Sequence, residues 1–481
     1  MVGDKISFAN FSLIASVLMI GLLGLVLSLL LLMYLAYHGV SVIILAPAMA
    51  MLAVTLSGEV PLLAAYTQIF MPALGKFLAK YFPLFLLGAM FGKLMEHSGC
   101  AQSISNRISS LLGPRHAILA VVLCTAVLTY GGVSLFVIVF AVHALATSVF
   151  QHANIPRRLI PGAIALGSGT FTMTSFPGSM QIQNLIPMPY FKTTAFAAPV
   201  LGTIGGLAIF ALGMLWLNRR ASSAALQGEG YSSGGYGPSM VRAPALDAGE
   251  ALPPFSLAMA PIVCVLLVNF VAAELWIPHW EAAYLAEPLF GGVKIADVRG
   301  IWSSVIAMLA ASPMVIVGSA RCRRRLNEIL KGGAADCLLP VFNVASEVGY
   351  GATVAALPAF TIIKNALLNF VPHNPLISEA AAISVLAGIT GSASGGLSIA
   401  LESLGPTFYQ RALENGVSPE VMHRVASMAS GGLDSLPHNG AVITLLTICG
   451  LTHKQSYYDI GIVTVVIPLI GMGLVIALAS F

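Results

Sequence analysis

The sequence predicts an all-α polytopic membrane protein made of two inverted-topology repeats, and three observations lead to this fold class. Of its 481 residues, 57% are hydrophobic and 9% are charged, whereas about a quarter of the residues of a soluble protein are charged. Several apolar runs reach the roughly 20 residues that cross a hydrocarbon core. Two pairs of apolar segments are interrupted by Gly, Ser, Thr and Pro at matching positions in the two halves of the chain.

The matched interruptions are the most informative feature. In order, they are TYGGVS at 129–134, SGTFTMTSFPGS at 168–179, TGSASGG at 390–396 and SGGLDSLPHNG at 430–440. Gly131 and Gly391 are 260 positions apart, and so are Pro177 and Pro437. A break in a membrane helix persists only where protein or a hydrated cavity surrounds the freed backbone groups. Paired broken segments in two halves of a chain are typical of secondary transporters.

The first predicted repeat covers residues 1–218. Arginines stand at both ends of the segment that contains the first interruption. Because basic residues mark one side of the membrane, residues 117–150 are predicted to dip in from that side as a re-entrant hairpin. Residues 159–187 are predicted to cross as a helix that is unwound in its middle. Further crossings are predicted at 10–34, 40–55, 82–96 and 195–217, with an amphipathic interfacial stretch at 62–80.

The second predicted repeat covers residues 255–481 and has the opposite orientation. A Gly-, Ser- and Ala-rich stretch, 219–254, is predicted to join the two repeats as a flexible cytoplasmic linker. Crossings are predicted at 255–276, 301–318, 337–357 and 457–479, an interfacial stretch at 359–370, a re-entrant hairpin at 377–404 and an unwound helix at 421–449. The total is about ten crossings and two hairpins, with both termini external.

Composition also argues against several kinds of site. The six cysteines show no paired spacing, so neither a zinc site nor a disulfide framework is indicated, and no metal or cofactor is predicted. No basic patch is interleaved with aromatic residues, so nucleic acid is not an expected partner. The first apolar run is too long for a signal peptide. The lipid bilayer is the expected surrounding.

Two stretches resemble a known family. They are GGLDSLPHNGAVITLLTICGLTHKQSYYD at 431–459 and FPGSMQIQNLIP at 176–187. They are similar to the gluconate permease family of the ion transporter superfamily, and within it to the D-beta-hydroxybutyrate permeases. This resemblance, which covers nearly the whole chain, implies proton-linked uptake of small hydroxy-acids across the bacterial inner membrane. It also implies a homodimer that works by an elevator motion.

The chain departs from the gluconate-transporting pattern at both unwound segments. That branch of the family carries His-Pro-Gly in the first and a His-x-Asn-Asp run in the second. This chain has Phe176-Pro177-Gly178 in the first segment and Asp434-Ser-Leu-Pro-His438-Asn439 in the second. The departure favours a smaller and less hydroxylated substrate than gluconate. The best candidate is 3-hydroxybutyrate, and a gluconate-like sugar acid is the alternative.

The residues themselves predict that the cargo is a small organic anion. No Arg or Lys is expected in the middle of any span, so the carboxylate is predicted to bind at half-helix N-termini, each with about half a positive charge. Hydroxyl, amide and glycine positions at the interruptions complete the predicted substrate site: Gly131, Gly132, Ser134, Ser168, Gly169, Thr170, Thr172, Thr174, Ser175, Gly178, Ser392, Ser394, Gly395, Ser430, Gly431, Asp434, Ser435, His438 and Asn439.

Three of the predicted intramembrane residues are candidates for the coupling proton. A carboxylate near the middle of the bilayer costs about 2.5–3.5 kcal/mol on insertion scales, so Asp434 is expected to face a cavity and to titrate. His438 is a candidate to share that proton, and Glu347 is the second carboxylate candidate. The structural alternatives are a helix cap for Asp434, a neutral core histidine for His438 and a packing role for Glu347. Sodium coupling stays open, because exposed carbonyls at the breaks can hold a hard cation.

Two other classes of function are compatible with parts of the pattern. Ser394 before Gly395, with His438 on another segment, loosely matches an intramembrane serine hydrolase, but no orienting group is evident. A passive channel is the other alternative. An enzyme has no need for the breaks to recur in both halves, so the chain is predicted to be a symporter and not an enzyme, and accumulation driven by a pH gradient would separate a symporter from a channel.

Overall fold

The computed structural model describes residues 19–32, 34–35, 38, 40–133, 135–232, 252–368, 370–371, 374–437 and 439–480. Within these ranges the regular structure is helical throughout. The protein is therefore an all-α polytopic membrane protein, as predicted. Of the predicted elements, the start of the crossing at 10–34 and part of the linker at 219–254 lie outside the described residues.

Five helices in the described part are long and apolar enough to cross a membrane. They are α3 (Leu62–His97), α10 (Pro199–Leu226), α11 (Phe255–His279), α12 (Ile295–Gly318) and α20 (His453–Ala479). A sixth span results if α14 (Leu326–Ala355) is counted together with α15 (Phe360–Leu368), which is bent away from it by 98°. The other predicted crossings correspond to shorter apolar helices and to helices that are interrupted.

The shorter helices complete the chain order. Before α10 they are α1 (Met19–Leu32), α2 (Val42–Ser57), α4 (Cys100–Leu112), α5 (Ala117–Tyr130), α6 (Leu135–His152), α7 (Ile160–Ser168), α8 (Ile182–Leu185) and α9 (Met188–Phe191). After α12 they are α13 (Ala320–Arg324), α16 (Pro375–Thr390), α17 (Ala393–Glu414), α18 (Pro419–Ser430) and α19 (Gly440–Cys449).

Two predicted boundaries are wrong. The stretch predicted to lie along the interface at 62–80 and the crossing predicted at 82–96 form the single 36-residue helix α3. Helix α14 begins at Leu326, well before the predicted start at 337. The extension of α14 packs on α3: a Cβ on Gly333 of α14 would lie 2.8 Å from the Cα of Met90 on α3. This backbone contact stabilises helix at the start of α14, where local hydropathy alone predicts a loop.

Both predicted hairpins are present as pairs of helices joined at glycine turns. The first hairpin consists of α5 and α6, and Gly132 at its tip has a φ of 91°. The second hairpin consists of α16 and α17, and Gly391 at its tip has a φ of 62°. L side chains rarely adopt these φ values, which explains the glycines. In the second hairpin a Cβ on Gly396 would lie 2.2 Å from the Cα of Ala387, so the two arms touch along their backbones.

Both predicted unwound helices are also interrupted, and their breaks begin with similar backbone angles. In the first broken helix, α7 and α8, Gly169 has φ −110° and ψ 4°, and Thr170 then turns to ψ −108°. In the second broken helix, α18 and α19, Gly431 has φ −95° and ψ 13°, and Gly432 turns to ψ −82°. The same change of direction therefore ends the leading half-helix in each half of the chain.

Polar contacts place the bases of the two hairpins at opposite ends of the molecule. Asp459, near the start of α20, accepts hydrogen bonds from Arg158 (2.9 Å) and Arg220 (2.8 Å). A cavity of about 500 Å³ near this end is lined by residues at the base of the first hairpin and at the end of α10. Asn374, at the base of the second hairpin, donates to Ser480 (2.9 Å) just beyond the far end of α20. The division into inverted repeats and the side that faces the cytoplasm stay predictions.

Candidate functional site

The two unwound segments meet. A Cβ on Gly431 would lie 2.7 Å from Cγ2 of Thr174, so the start of the second break packs directly on the first. A Cβ on Gly202 of α10 would similarly lie 2.5 Å from the carbonyl oxygen of Ser175. Because neither glycine position leaves room for a side chain, the backbone at Gly431 lies directly against the Thr174 side chain, and the backbone of α10 lies against the Ser175 carbonyl. These contacts define the candidate site.

Each hairpin tip is tied to the unwound segment of its own half by a side-chain amide. Gln181 Nε2 donates to the carbonyls of Thr129 (2.7 Å) and Val133 (3.2 Å) at the tip of the first hairpin. Asn439 Nδ2 donates to the carbonyl of Gly391 (2.9 Å) at the tip of the second. The four interruptions are therefore joined in pairs, and the pairs meet between Thr174 and Gly431.

Five of the ten predicted hydroxyl ligands donate their hydrogen to backbone carbonyls inside the protein. The donors and acceptors are Ser168 to Ile164 (2.7 Å), Thr170 to Leu166 (2.6 Å), Thr172 to Gly167 (2.6 Å), Thr174 to Thr170 (3.1 Å) and Ser430 to Ser427 (2.7 Å). Their oxygens can still accept hydrogen bonds, but a carboxylate needs donors. The Ser175 hydroxyl differs, because it is buried and has no partner among the described residues.

Several of the remaining predicted positions have structural roles. Ser392 caps α17 by accepting from the N–H of Gly395 (3.0 Å), and Asn439 caps α19 by accepting from Val442 (2.8 Å). Gly178 has a φ of 80° and packs against Phe196. Ser394 is half-buried, and its hydroxyl makes no hydrogen bond within the described ranges. Ser134 and His438 lie outside the described residues.

Asp434 lies on the short turn that follows Gly432 and is 6% exposed. Its Oδ1 accepts a hydrogen bond from the hydroxyl of Ser435 (3.1 Å). Tyr457 of α20 donates to the carbonyl of Ser435 (3.1 Å) and so holds this turn against α20. No salt bridge to Asp434 exists within the part of the chain that the structure describes. A buried carboxylate without a cation is expected to bind a proton or another cation.

Glu347 of α14 reaches the tip of the second hairpin, a contact that the sequence did not predict. Its side chain is buried, with an exposed fraction of 3% for the residue. A Cβ on Gly395 would lie 2.0 Å from Glu347 Oε2, so the carboxyl group rests on the first turn of α17. Neither carboxylate oxygen has a hydrogen-bond partner among the residues described, and Oε2 is fully enclosed.

One prediction about charge is wrong, because a fully buried arginine contacts the first break. Arg424 of α18 has 0% exposure, and its guanidinium donates to the carbonyls of Thr174 (3.2 Å) and Ala197 (2.8 Å) and to Asn184 Oδ1 (2.9 Å). Within the described ranges it has no salt bridge; Glu420, one turn earlier, accepts from the N–H of Ala198 instead (3.2 Å). Arg424 lies near the start of an apolar run, where hydropathy suggests a membrane surface and not a buried site.

Sequence comparison gives the class of protein. Over 447 residues the chain is 45% identical to "Uncharacterized transporter YxjC" of Bacillus subtilis (strain 168), and the match covers 91% of this chain and 94% of that protein. The chain belongs to this transporter family. No family model matches the sequence. A solved structure, that of the Alcanivorax borkumensis YdaH transporter, shares 15% identity and a TM-score of 0.49 over 85% of this chain and 86% of the other.

The transporter has one more polar cluster that the sequence analysis missed. His423 Nδ1 lies 2.6 Å from the hydroxyl of Thr193, and its Nε2 lies 3.3 Å from Asn184 Oδ1. Asn184 in turn donates to the carbonyls of Ser179 and Ala195, both at 2.9 Å. The cluster joins α18 to the chain that returns from the first break. Its partners are more than 200 residues apart, so only a three-dimensional structure can reveal it.

Proposed function

We propose that this transporter is a secondary active symporter that imports a small hydroxy-monocarboxylate, with 3-hydroxybutyrate as the best candidate, together with a proton. The observation that carries the proposal is Arg424, a fully buried guanidinium that touches the first unwound segment and bonds only neutral oxygens. A buried charge without a counter-ion costs several kcal/mol. A substrate anion bound among the four joined interruptions would bring a compensating negative charge near this guanidinium.

Coupling to a cation follows from the carboxyl groups. Asp434 lies three residues beyond the contact between Gly431 and Thr174, and Glu347 contacts the tip of the second hairpin. Neither has a basic partner among the described residues. A proton that binds one of these groups neutralises it while the substrate anion is present. Joint transport of the proton and the anion is then favourable.

The resemblance to the gluconate permease family supports the choice of substrate and mechanism. The departures at Phe176 and around Asp434 favour an acid with fewer hydroxyl groups than gluconate. From the same resemblance we propose a homodimer, an elevator motion and a place in the bacterial inner membrane with both termini external. Mass measurement in detergent tests the dimer, and protease protection of terminal tags tests the orientation.

Uptake into proteoliposomes tests the function. The purified transporter is reconstituted and given labelled 3-hydroxybutyrate with an inward proton gradient, an inward sodium gradient or neither. We expect saturable accumulation that needs the proton gradient and that collapses with a protonophore. An Arg424→Met variant and protein-free vesicles serve as controls. Flux without accumulation would indicate a channel. Accumulation that needs the sodium gradient would show that sodium, and not the proton, is the coupling ion.

A competition panel tests the substrate class in the same vesicles. Lactate-like and 3-hydroxy acids are expected to inhibit uptake more strongly than gluconate. If gluconate competes better than 3-hydroxybutyrate, the gluconate-like alternative is correct.

A further inference from the structure

At the N-terminus of helix α17 the structure brings a buried acidic side chain, that of Glu347, onto a predicted substrate position. The helix has 22 residues, and its N-terminus carries about half a positive charge. Ser392, Ser394 and Gly395 at this terminus were predicted from the sequence to bind the substrate carboxylate. In the structure, the carboxyl group of Glu347 already rests against Gly395.

The contact is tight and lacks hydrogen bonds. A Cβ on Gly395 would lie 2.0 Å from Oε2 and 2.7 Å from Oε1 of Glu347, so both oxygens face the first turn of the helix. The N–H of Gly395 is already donated to Ser392 Oγ (3.0 Å). Glu347 therefore approaches the positive end of α17, and no group in the described part of the chain donates a hydrogen bond to its carboxylate. A substrate carboxylate and an ionised Glu347 cannot both be accommodated there, because like charges at one terminus repel each other.

No other charged group among the described residues is bonded to Glu347. The helices packed against α14 carry titratable groups, among them Tyr66 and Lys76 on α3, Glu402 on α17, Lys364 on α15 and Arg321 on α13, and α14 itself carries Tyr350. Helix α2 carries none. None of these groups forms a hydrogen bond or ion pair with Glu347 within the ranges described.

We propose that Glu347 and the substrate carboxylate occupy the N-terminus of α17 alternately, so that an anion binds only after Glu347 has taken up a proton. This inference rests on the proposed function and specifies its coupling step. In the empty carrier, ionised Glu347 occupies the terminus. In the loaded carrier, the substrate anion occupies it and Glu347 is neutral. The site holds one negative charge in both states, and one proton accompanies each anion.

Proton uptake on binding tests the exchange in the intact protein. Calorimetric titration of the detergent-solubilised transporter with 3-hydroxybutyrate, in buffers of different ionisation enthalpy, measures the protons taken up per substrate bound. We expect about one proton per substrate in the pH range where Glu347 is ionised. Across that range, the Kd should rise by up to about tenfold per pH unit because one proton is linked to binding.

Two matched variants assign the proton. Glu347→Gln should bind the substrate with a Kd that no longer depends on pH and with uptake close to zero protons, and should keep substrate exchange while losing pH-driven accumulation. Glu379→Gln removes another buried carboxyl group whose two oxygens have no partner among the described residues, and it should keep the wild-type proton uptake. Proton uptake that persists in Glu347→Gln would overturn the exchange and leave the proposed symport intact.

The remaining outcomes are equally decisive. Loss of proton uptake in Glu379→Gln alone would assign the proton to Glu379 and overturn the inference. Failure of the wild-type protein to bind any monocarboxylate of the panel would overturn the inference together with the proposed function. Binding by the wild-type protein without proton uptake at any pH would overturn the inference even if Glu347→Gln does not fold.

Discussion

The contact between the two unwound segments can be tested by adding one carbon atom and then removing another. Gly431→Ala places a Cβ 2.7 Å from Thr174 Cγ2, closer than non-bonded carbons approach, so one segment must move. Overpacking of this kind typically costs about 1–3 kcal/mol. We expect Gly431→Ala to lower the thermal stability of the solubilised transporter and to reduce uptake.

The second substitution should reverse the effect. Thr174→Ser removes Cγ2 and keeps the hydroxyl that donates to Thr170 (3.1 Å). The next contacts of the added Cβ are then Thr174 Oγ1 at 3.4 Å and Cβ at 3.5 Å, which are ordinary distances. Thr174→Ser alone should cost about 0.8 kcal/mol, the value of one buried methylene-sized group.

A double-mutant cycle gives the magnitude. Thermal stability and uptake are measured for wild type, both single variants and the pair. We expect a favourable coupling of at least about 1 kcal/mol, within the range found for residues in contact. If Gly431→Ala is neutral, or if Thr174→Ser fails to restore it, the two segments do not pack as described.

Three further predictions concern Arg424, the Ser175 hydroxyl and the polar network at one end. Arg424→Lys keeps the charge but loses the planar donors, so it should raise the KM for uptake less than Arg424→Met does. Both variants should lower stability, because each buried carbonyl that loses its partner costs about 1–3 kcal/mol. Ser175→Ala should raise the KM more than Ser430→Ala, since only the Ser430 hydroxyl is already donated internally (2.7 Å); equal effects would contradict this. The hydrogen bond from Arg158 lowers the pKa of Glu229 below its usual value of 4.5, so its stabilisation is present above pH 4.5 and is lost as the pH falls through the lower folded-state pKa. Melting curves from pH 6 to 3.5 should therefore show wild type losing an advantage over Glu229→Gln of less than about 1 kcal/mol.

The elements that local sequence determines were predictable. Gly, Ser, Thr and Pro interrupt apolar runs at the two hairpin tips and at the two unwound segments, and the structure has turns or breaks at all four. These residues disfavour continuous helix for reasons that act within a few positions. The sequence therefore predicted where the helices are interrupted.

The features that depend on distant partners were not predictable. Arg424 is buried because carbonyls about 230 to 250 residues away surround its guanidinium, and hydropathy cannot reveal them. The 62–80 stretch appeared amphipathic in the sequence. It is helical because this part of α3 packs against α14. The direction of the hydroxyl groups also depends on backbone geometry at the breaks. Residue type identifies a hydroxyl but not the carbonyl to which it donates.

The proposed site requires the two hairpins to enter the membrane from opposite sides. Gln151 and Asn415 are exposed at the bases of the first and second hairpins. In a background without the six native cysteines, Gln151→Cys and Asn415→Cys are labelled one at a time by a membrane-impermeant maleimide in right-side-out and inside-out vesicles. We predict that each cysteine is labelled in only one vesicle type and that the two types differ. Labelling of both cysteines from the same side would contradict the opposed hairpins and the proposed site between them.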